Sequence, residues 1–383
     1  MRTPSPLAGV RRFAFIAHSA LSLLRFRGAL MREIAARRHR VLALAPDLDA
    51  GARRQLAAMR IEAGDFPLDP LGSVAFAERR TERAISEALK AFAPHAVVAS
   101  GPRTGLLGAT LGKVAGADRV VLIANGLSAL GLNVEAARKG WFGESGAHRR
   151  RKAGLAAADL VVFHNPDDPR RLIVEGLMPA SQRHLVTLGS GVELAHYDTA
   201  PLPPLADGLV FLMLARLDKA TGIGTFIDAA TRVKAKAPGA RFVLAGTDGR
   251  ERGGLTAKHM AVHKAVIEHV GFVADVRPLI AAAHVIVHPS MSEGLPGAVL
   301  EALSAGRPVI ASDIPGSRSA IDERVNGVLV PPGDADALAA AMESFLRRPD
   351  LIPAMARASR AKAERLFDDR VVVAAMLLAL DVV

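Results

Sequence analysis

The sequence predicts an α/β protein of two domains, each built on a doubly wound parallel sheet. The chain has 383 residues, enough for two or three domains at roughly 150 residues each. Short runs rich in β-branched residues alternate with longer stretches of helical composition, which indicates parallel strands covered by helices on both faces. The alternation stops at the proline-rich segment 199–208 and then restarts, so the best domain boundary lies near that segment.

Strands and helices are predicted on both sides of the proline-rich segment. The sequence therefore predicts a first domain at 1–188, completed by 367–383, and a second at 189–366. Ligands of such sheets bind beyond the carboxyl ends of the strands, so we expect the two domains to face a central cleft. Strands are predicted at 12–18, 40–46, 95–100, 119–125, 159–165, 209–215, 241–246, 284–290, 307–313 and 327–334, and helices at 26–37, 74–92, 146–158, 223–237, 256–269 and 297–305.

The composition narrows the class of partner. Lys and Arg total 49 against 38 for Asp and Glu, and the net charge of +11 favours an anionic partner. One Trp, one Tyr and 4% aromatic residues leave little surface for stacking on unpaired bases, which argues against nucleic acid. The absence of cysteine excludes a disulfide framework and a thiolate metal site, and is typical of a reducing cytoplasm.

Two apolar stretches are too short to span a bilayer. Residues 13–24 and 371–380 predict a buried strand and a terminal helix, because about twenty apolar residues are needed to cross. We expect a cytoplasmic protein whose membrane contact, if it has one, is peripheral. The basic run at 148–152 is usually a solvated face, but at about 1 kcal/mol per charge it would attract the inner, anionic surface of a membrane.

The stretch 284–306 combines a strand, a loop and a helix. "HVIVH" is a continuous apolar run, as expected for a strand buried on both faces, and "AVLEALSA" is a helix that ends at Gly306. Gly294, Pro296 and Gly297 keep side-chain bulk away from the start of that helix. Free backbone N–H groups gather there with partial positive charge, which suits a diphosphate.

Two carboxylates, Glu293 and Glu301, flank this helix start. A carboxylate has two acceptor oxygens and is a natural partner for vicinal hydroxyls. Glu293, on the loop, would address a sugar ring, and Glu301, one turn inside the helix, the ribose of a nucleotide. On physical grounds alone an alternative stays open, in which Glu293 is a first-turn acid that favours the helix dipole and Glu301 is a solvated helix residue.

The stretch "EGLPGAVLE" (293–301), placed between "VHPS" and "ALSAGRPVIASDIPG", resembles the signature of glycosyltransferase family 4. Segments 326–342 and 189–197 are similar to the next block and to the interdomain segment of that family. Residues 15–30 and 124–131 look like bacterial members that extend lipid-diphosphate-linked sugars. The resemblance implies the GT-B fold, which has two Rossmann-like domains and a C-terminal helix that returns to the N-terminal one.

The resemblance also implies a reaction and a donor site. Family members are retaining transferases that need no metal or other cofactor, and they use a nucleoside diphosphate sugar. In matching members the first Glu of the pair contacts the sugar and the second contacts the ribose. The implied donor-binding residues are Arg216, Lys219, Glu293, Gly294, Leu295, Pro296, Gly297, Ala298 and Glu301.

The sequence departs from the family pattern at one position in "LMLARLDKATGIG". Arg216 is the arginine that binds diphosphate in the family, but Thr221 stands five residues later, where the family usually has Lys. Either Lys219 takes over this contact, or another base such as Arg25 or Arg27 does, or the enzyme is slow. We expect Lys219 to reach the diphosphate; a solvent-facing loop lysine is the alternative.

Five residues of the first domain are candidates for binding the acceptor. His18 ends the predicted first strand and would contact the donor sugar or a lipid diphosphate, which makes it a catalytic candidate with Glu293, Arg216 and Lys219; a structural histidine is the alternative. Arg25 and Arg27 would hold an acceptor phosphate, although an ordinary surface helix start explains them nearly as well. Asn125 and Gly126 stand at the end of the predicted fourth strand and would line the acceptor side.

Two carboxylate pairs with metal-like spacing are predicted to be structural. "DLD" (47–49) and "DAD" (334–336) both precede helices, which is typical of N-caps, so no metal site is predicted.

The predicted activity is the transfer of a hexose or N-acetylhexosamine from a nucleoside diphosphate sugar, with UDP favoured, to a lipid-diphosphate-linked saccharide in polysaccharide assembly. The alternatives are a nucleotide-sugar 2-epimerase of the same fold and, because of Thr221, a non-catalytic nucleotide-sugar-binding member.

Overall fold

The computed structural model describes residues 9–68, 75–130, 146–205, 208–249 and 254–382. Within these residues the chain divides into two compact units. The first contains the described residues up to Phe163, Pro169–Val186 and the end of the chain from Val373, and the second contains His164–Asp168 and Thr187–Val372.

Each unit contains one parallel sheet. The strands are β1 (Arg12–Ile16), β2 (Arg40–Ala45), β3 (Glu62–Asp65), β4 (Ala96–Ser100), β5 (Arg119–Ala124), β6 (Leu160–Phe163), β7 (His184–Val186), β8 (Val210–Leu214), β9 (Arg241–Ala245), β10 (Ile267–Gly271), β11 (Val285–His288), β12 (Val309–Ser312) and β13 (Gly327–Val330). Among the described residues, the strand order is β3-β2-β1-β4-β5-β6-β7 in the first unit and β10-β9-β8-β11-β12-β13 in the second. Both orders reverse once, which defines doubly wound α/β sheets.

Helices connect most of these strands. They are α1 (Ala20–Ala36), α2 (Ala50–Ala58), α3 (Ala75–Phe92), α4 (Thr104–Val114), α5 (Gly146–Ala157), α6 (Asp167–Val174), α7 (Ile223–Lys236), α8 (Ala257–Met260), α9 (Arg277–Ala282), α10 (Gly297–Ser304), α11 (Pro315–Ala320), α12 (Ala335–Arg347), α13 (Ile352–Leu366) and α14 (Asp369–Ala379). No helix of the described ranges is both long and apolar enough to cross a membrane.

The predicted fold class is confirmed, with one wrong helix. The sequence predicts a helix over 256–269, but the structure has only the short α8, a 3-10 turn at Ala261–His263, and then β10, which pairs in parallel with β9. Part of this segment forms a strand at the sheet edge because its β-branched residues Ile267 and Val270 fit a strand better than a helix. The edge strands β3 and β7 carry polar residues and were also not predicted.

The predicted N-caps are confirmed where the structure gives their contacts. Asp49 Oδ1 accepts a hydrogen bond from Ala52 N at the start of α2 (2.7 Å), and Asp334 Oδ1 accepts one from Ala337 N at the start of α12 (2.8 Å). Asp47 Oδ1 accepts from Ala20 N (2.5 Å), so it serves the start of α1.

The last residues of the chain belong to the first unit. Arg11 Nη1 donates to Leu380 O (3.4 Å), and Arg119 Nη1 donates to Ala379 O (3.1 Å). The predicted terminal helix at 371–380 is α14, which begins two residues earlier.

One fully buried arginine, Arg307, connects three segments of the second unit through hydrogen bonds. The Arg307 side chain is completely buried and donates only to main-chain carbonyl oxygens among its hydrogen bonds. Burial lowers its pKa to about 10. Its acceptors lie at the ends of α9 and α10 and in the proline-rich segment: Ile280, Ala281, Ala305, Gly306, Ala200 and Pro201.

Candidate functional site

The strand order of the second unit reverses between β8 and β11, and the candidate donor residues follow these two strands. Arg216 lies two residues after β8, and Glu293 lies five residues after β11. The carboxyl ends of parallel strands meet at one edge of the sheet, and ligands of doubly wound sheets bind where the order reverses. The sheet therefore places these two residues at its most favourable binding edge.

Arg216 is held by its own loop. Its Nε lies 3.1 Å from Asp218 Oδ2, whose side chain is 1% exposed, while the Arg216 side chain is 50% exposed. The Thr221 hydroxyl donates to Arg216 O (3.0 Å) and Asp218 O (2.7 Å). Thr221 therefore closes the loop that carries Arg216, a structural task that the lysine usual at this position would not perform.

The loops after β8 and β11 are fastened to each other. Met291 N donates to Ala220 O (2.9 Å), and Ser290 Oγ donates to the same oxygen (3.3 Å). Gly222 adopts a left-handed conformation (φ 77°), and a Cβ atom there would overlap Pro289 O. Glycine is thus required at this position for the two loops to meet.

Glu293 contacts a buried histidine, His288. Glu293 Oε2 lies 3.1 Å from His288 Nε2; the Glu293 side chain is 35% exposed and the His288 side chain only 6%. The pKa of Glu293 lies below its ordinary value: burial acts to raise it, but the charge and hydrogen bond of His288, the Ser290 hydroxyl and the Arg216 charge outweigh burial. Glu293 is thus an ionised carboxylate on the loop, and the first-turn alternative is wrong because α10 begins four residues later.

The start of α10 carries no side-chain cap. Pro296 occupies the N-cap position, and its carbonyl accepts hydrogen bonds from Val299 N and Leu300 N (both 3.2 Å). The first two residues of the helix, Gly297 and Ala298, are half-buried. Their amides are the ones that the sequence predicts for a diphosphate.

The remaining donor candidates lie around this helix start. Glu301 is only 4% exposed, so the solvated alternative is wrong for it. Leu295 belongs to the hydrophobic core, which leaves only its main chain for a ligand. A Cβ atom at Gly316 would overlap Gly294 O, so the loop rests directly on α11. Lys219 is exposed on the same loop as Arg216, a placement compatible with both of its predicted roles.

The first unit has its own reversal of strand order, between β1 and β4, and His18 lies there. The imidazole of His18 packs on Gly101, which follows β4; a Cβ atom at Gly101 would overlap Nδ1 of the ring. Gly101 has φ 92°, a conformation that other residues rarely adopt. β1 ends at Ile16, so His18 lies in the loop and not, as predicted, in the strand.

Two of the acceptor candidates contact each other. Arg27 Nη2 donates to Asn125 Oδ1 (3.1 Å), although the residues are 98 positions apart in sequence. Arg27 is 6% exposed, so the surface alternative is wrong for it, and burial lowers its pKa to about 10. Arg25 is exposed and lies over the Phe26 ring. Gly126 follows with φ 98°.

Sequence reasoning missed His288 as a site residue. The available signal was a histidine at the end of an otherwise apolar, fully buried strand. It missed Asp218 as well, because nothing in the sequence shows that this acid is buried beside Arg216.

In the described parts of the chain, no three His, Cys, Asp or Glu side chains are grouped so as to hold a metal ion.

Comparisons with known proteins agree with this geometry. Residues 208–348 match the family model described as glycosyl transferases group 1. The matched segment contains the whole edge described above, from Arg216 to Glu301. The curated relatives of the chain are glycosyltransferases, several of them in polysaccharide or lipopolysaccharide biosynthesis.

Two relatives illustrate how much of the chain is matched. The chain is 32% identical to the putative glycosyltransferase EpsD of Bacillus subtilis, over 57% of this chain and 59% of EpsD. It is 32% identical to the N,N'-diacetylbacillosaminyl-diphospho-undecaprenol alpha-1,3-N-acetylgalactosaminyltransferase of Campylobacter jejuni, over 31% of this chain and 30% of that protein. The matches to the first curated relatives span between half and two thirds of those proteins' lengths.

A solved structure shows the fold. Anabaena HepE, crystallised with UDP-glucose, superposes with a TM-score of 0.72 at 17% identity, over 97% of this chain and 100% of HepE. The fold of this protein is therefore GT-B.

Proposed function

We propose that this protein is a retaining glycosyltransferase. It transfers a hexose or N-acetylhexosamine from a nucleoside diphosphate sugar, with UDP favoured, to a lipid-diphosphate-linked saccharide in polysaccharide assembly. The observation that carries the proposal is the edge where β8 and β11 end. There an exposed arginine, an ionised loop glutamate and a buried helix glutamate surround an uncapped helix start, all within the segment that matches the glycosyltransferase model.

The diphosphate of the donor binds to positive charge at this edge. Arg216, already oriented by Asp218, donates to the phosphate oxygens, and the amides of Gly297 and Ala298 at the start of α10 do the same. As the bond from sugar C1 to the diphosphate oxygen breaks, charge grows on the departing diphosphate, and fixed donors stabilise it most at that moment. Lys219 adds a further positive charge, and no metal is needed.

The two glutamates recognise the two ends of the donor. Glu293 accepts hydrogen bonds from hydroxyls of the sugar, and Glu301 accepts them from the ribose. Both carboxylates are acceptors only, so they suit neutral hydroxyl groups and repel the phosphates, which keeps the diphosphate at the basic positions between them.

The first unit binds the acceptor. Buried Arg27 and half-buried Asn125 form a polar pair beyond the ends of β1 and β5, with His18 at the same edge of the sheet. A guanidinium suits a phosphate of the acceptor lipid. The exposed arginines of α5 would hold the protein against the inner face of an anionic membrane, where such an acceptor is found.

A two-step experiment tests this function. A thermal-shift panel of UDP and GDP sugars identifies the donor, and that donor is then offered with a lipid-linked saccharide acceptor. We expect one sugar nucleotide to raise the melting temperature and a glycosylated acceptor to appear. Isomerised donor in the absence of acceptor would instead identify an epimerase.

A second candidate, a nucleotide-sugar-binding protein without turnover, is favoured by Thr221. Threonine replaces the lysine that is usual at this position, so one positive charge is missing. The Thr221 hydroxyl instead donates to carbonyl oxygens of its own loop. Tight donor binding without transfer to any acceptor would support this candidate.

A further inference from the structure

The strand β11 is apolar except for a buried histidine at its end, and the strand alone does not explain why a polar residue lies there. Val285, Ile286 and Val287 are completely buried apolar residues, as a central parallel strand requires, and His288 continues the strand with 5% exposure. Burying an imidazole costs free energy unless its polar atoms are satisfied. Its Nε2 atom lies 3.1 Å from Glu293 Oε2, which supplies that partner.

This contact determines where the Glu293 carboxylate lies. The loop between the two residues is fixed at one end by Met291 N and Ser290 Oγ on Ala220 O, and at the other by the contact of Gly294 with Gly316. Within this fixed loop the Glu293 side chain still has freedom about its own bonds. The hydrogen bond between Glu293 Oε2 and His288 Nε2 restricts that freedom.

We propose that His288 is a positioning residue for donor-sugar recognition, orienting the Glu293 carboxylate toward the sugar hydroxyls. This inference rests on the proposed function for its ligand. His288 itself is too deeply buried to serve as a general surface contact, and it acts through Glu293.

Two ion pairs lie on the segments that follow β8 and β12, the strands on either side of β11. On the β8 side Arg216 is held by Asp218, and on the β12 side Asp313 accepts from Arg318 Nε (2.6 Å). Arg216 lowers the pKa of Glu293 in the same direction as His288, and the buried Glu301 belongs to the neighbouring α10. Of these two residues, His288 has the larger effect on the pKa of Glu293.

Removal of His288 is expected to raise the pH at which Glu293 becomes protonated. With His288 present, Glu293 stays ionised into the acid range. In His288→Gln the amide still donates a hydrogen bond, but the imidazole that lowers the pKa of Glu293 is gone, so burial raises that pKa and the carboxylate is protonated at a higher pH.

The test compares binding of the sugar nucleotide with binding of UDP alone. Titration calorimetry from pH 7 down to pH 5 is carried out on the full chain, with wild type and His288→Gln, using UDP and the UDP-sugar selected by the thermal-shift panel. We expect His288→Gln to weaken UDP-sugar binding about tenfold, the loss growing as pH falls, with UDP affinity unchanged. His288→Leu, which removes the hydrogen bond as well, weakens it further at all pH values. An equal loss for UDP and UDP-sugar would overturn the proposal.

A matched control and a ligand-free readout complete the test. His284, buried at the entry to β11 and bonded through Nδ1 to Val210 N (3.0 Å), serves as the control. His284→Gln is expected to lower stability without changing the pH dependence. If no sugar nucleotide binds at all, the proposed function fails, and a carboxylate NMR titration of Glu293 still decides the inference. An unchanged Glu293 pKa in His288→Gln would refute it.

Discussion

The carboxyl edges of the two sheets share a topology and differ in chemistry. At the edge of the second unit, Arg216 stands with two glutamates beside an uncapped helix. At the edge of the first, the candidates are His18, Arg25 and Arg27, and the start of α1 is already occupied by Ser19 and Asp47. The same doubly wound sheet thus presents mixed charge in one unit and positive charge in the other.

This difference indicates what each edge can recognise. Mixed charge fits a ligand with neutral hydroxyls at both ends and an anionic centre, whereas positive charge with a helix start already capped fits an anion held by side chains. The topology decides where a ligand binds, and the side chains that follow each strand decide which ligand it is.

The largest effect is expected at Arg216. Arg216→Ala removes a fixed donor from the departing diphosphate and should lower kcat about 10²- to 10³-fold. Arg216→Lys should recover part of the rate. The matched control is Arg318→Ala, an exposed arginine that follows β12 and pairs with Asp313; it should change kcat little. Equal losses in both variants would remove Arg216 from the mechanism.

Arg27 tests the other edge. Arg27→Met should raise the KM for the lipid-linked acceptor about ten- to a hundredfold, because a charged contact to phosphate is lost, while donor binding stays the same. Steady-state kinetics with each substrate varied in turn measures this. Arg32→Met, which removes an exposed arginine of α1, is the control.

The same variant should not destabilise the protein. Burial lowers the pKa of Arg27 to about 10, so the cost of burying its charge is fully present below pH 10 and is relieved as pH rises above that value. Removing the buried charge relieves this desolvation cost, which offsets the loss of the hydrogen bond to Asn125. A sharp fall in melting temperature would show that Arg27 supports the fold.

The smallest effect is expected in the loop with Lys219 and Thr221. Lys219→Ala should reduce kcat about tenfold if its ammonium reaches the diphosphate. Unchanged turnover would end that idea. Thr221→Lys, which restores the residue usual in the family, should raise the rate only if the gain in charge exceeds the loss of the two hydrogen bonds that close the loop.

The candidate donor edge could be located from the sequence because its parts are contiguous. A buried strand, a glycine- and proline-containing loop and a helix follow one another between 284 and 306, so the spacing of Glu293 and Glu301 already places both near one helix start. What the sequence did not contain was the second layer of contacts. The contact of His288 with Glu293 and the burial of Asp218 depend on how the loop folds back.

The acceptor edge was harder to predict because its parts are scattered. Arg27 and Asn125 meet across 98 residues, and the spacing of charges along α1 does not show which arginine turns inward. The wrong helix at 256–269 has a similar origin: its composition is helical, and only the free edge of β9 makes part of it a strand. Local sequence pattern predicts most helices and strands, but pairing with a distant strand can change the structure of a segment.

The most direct test of the account uses the two glutamates against two ligands. Titration calorimetry with UDP and with the selected UDP-sugar would be carried out on Glu293→Gln and Glu301→Gln. The account predicts that Glu301→Gln weakens both ligands about tenfold, whereas Glu293→Gln weakens only the sugar nucleotide. If both ligands bind to the two variants as they bind to the wild type, the edge formed by β8 and β11 is not the donor site.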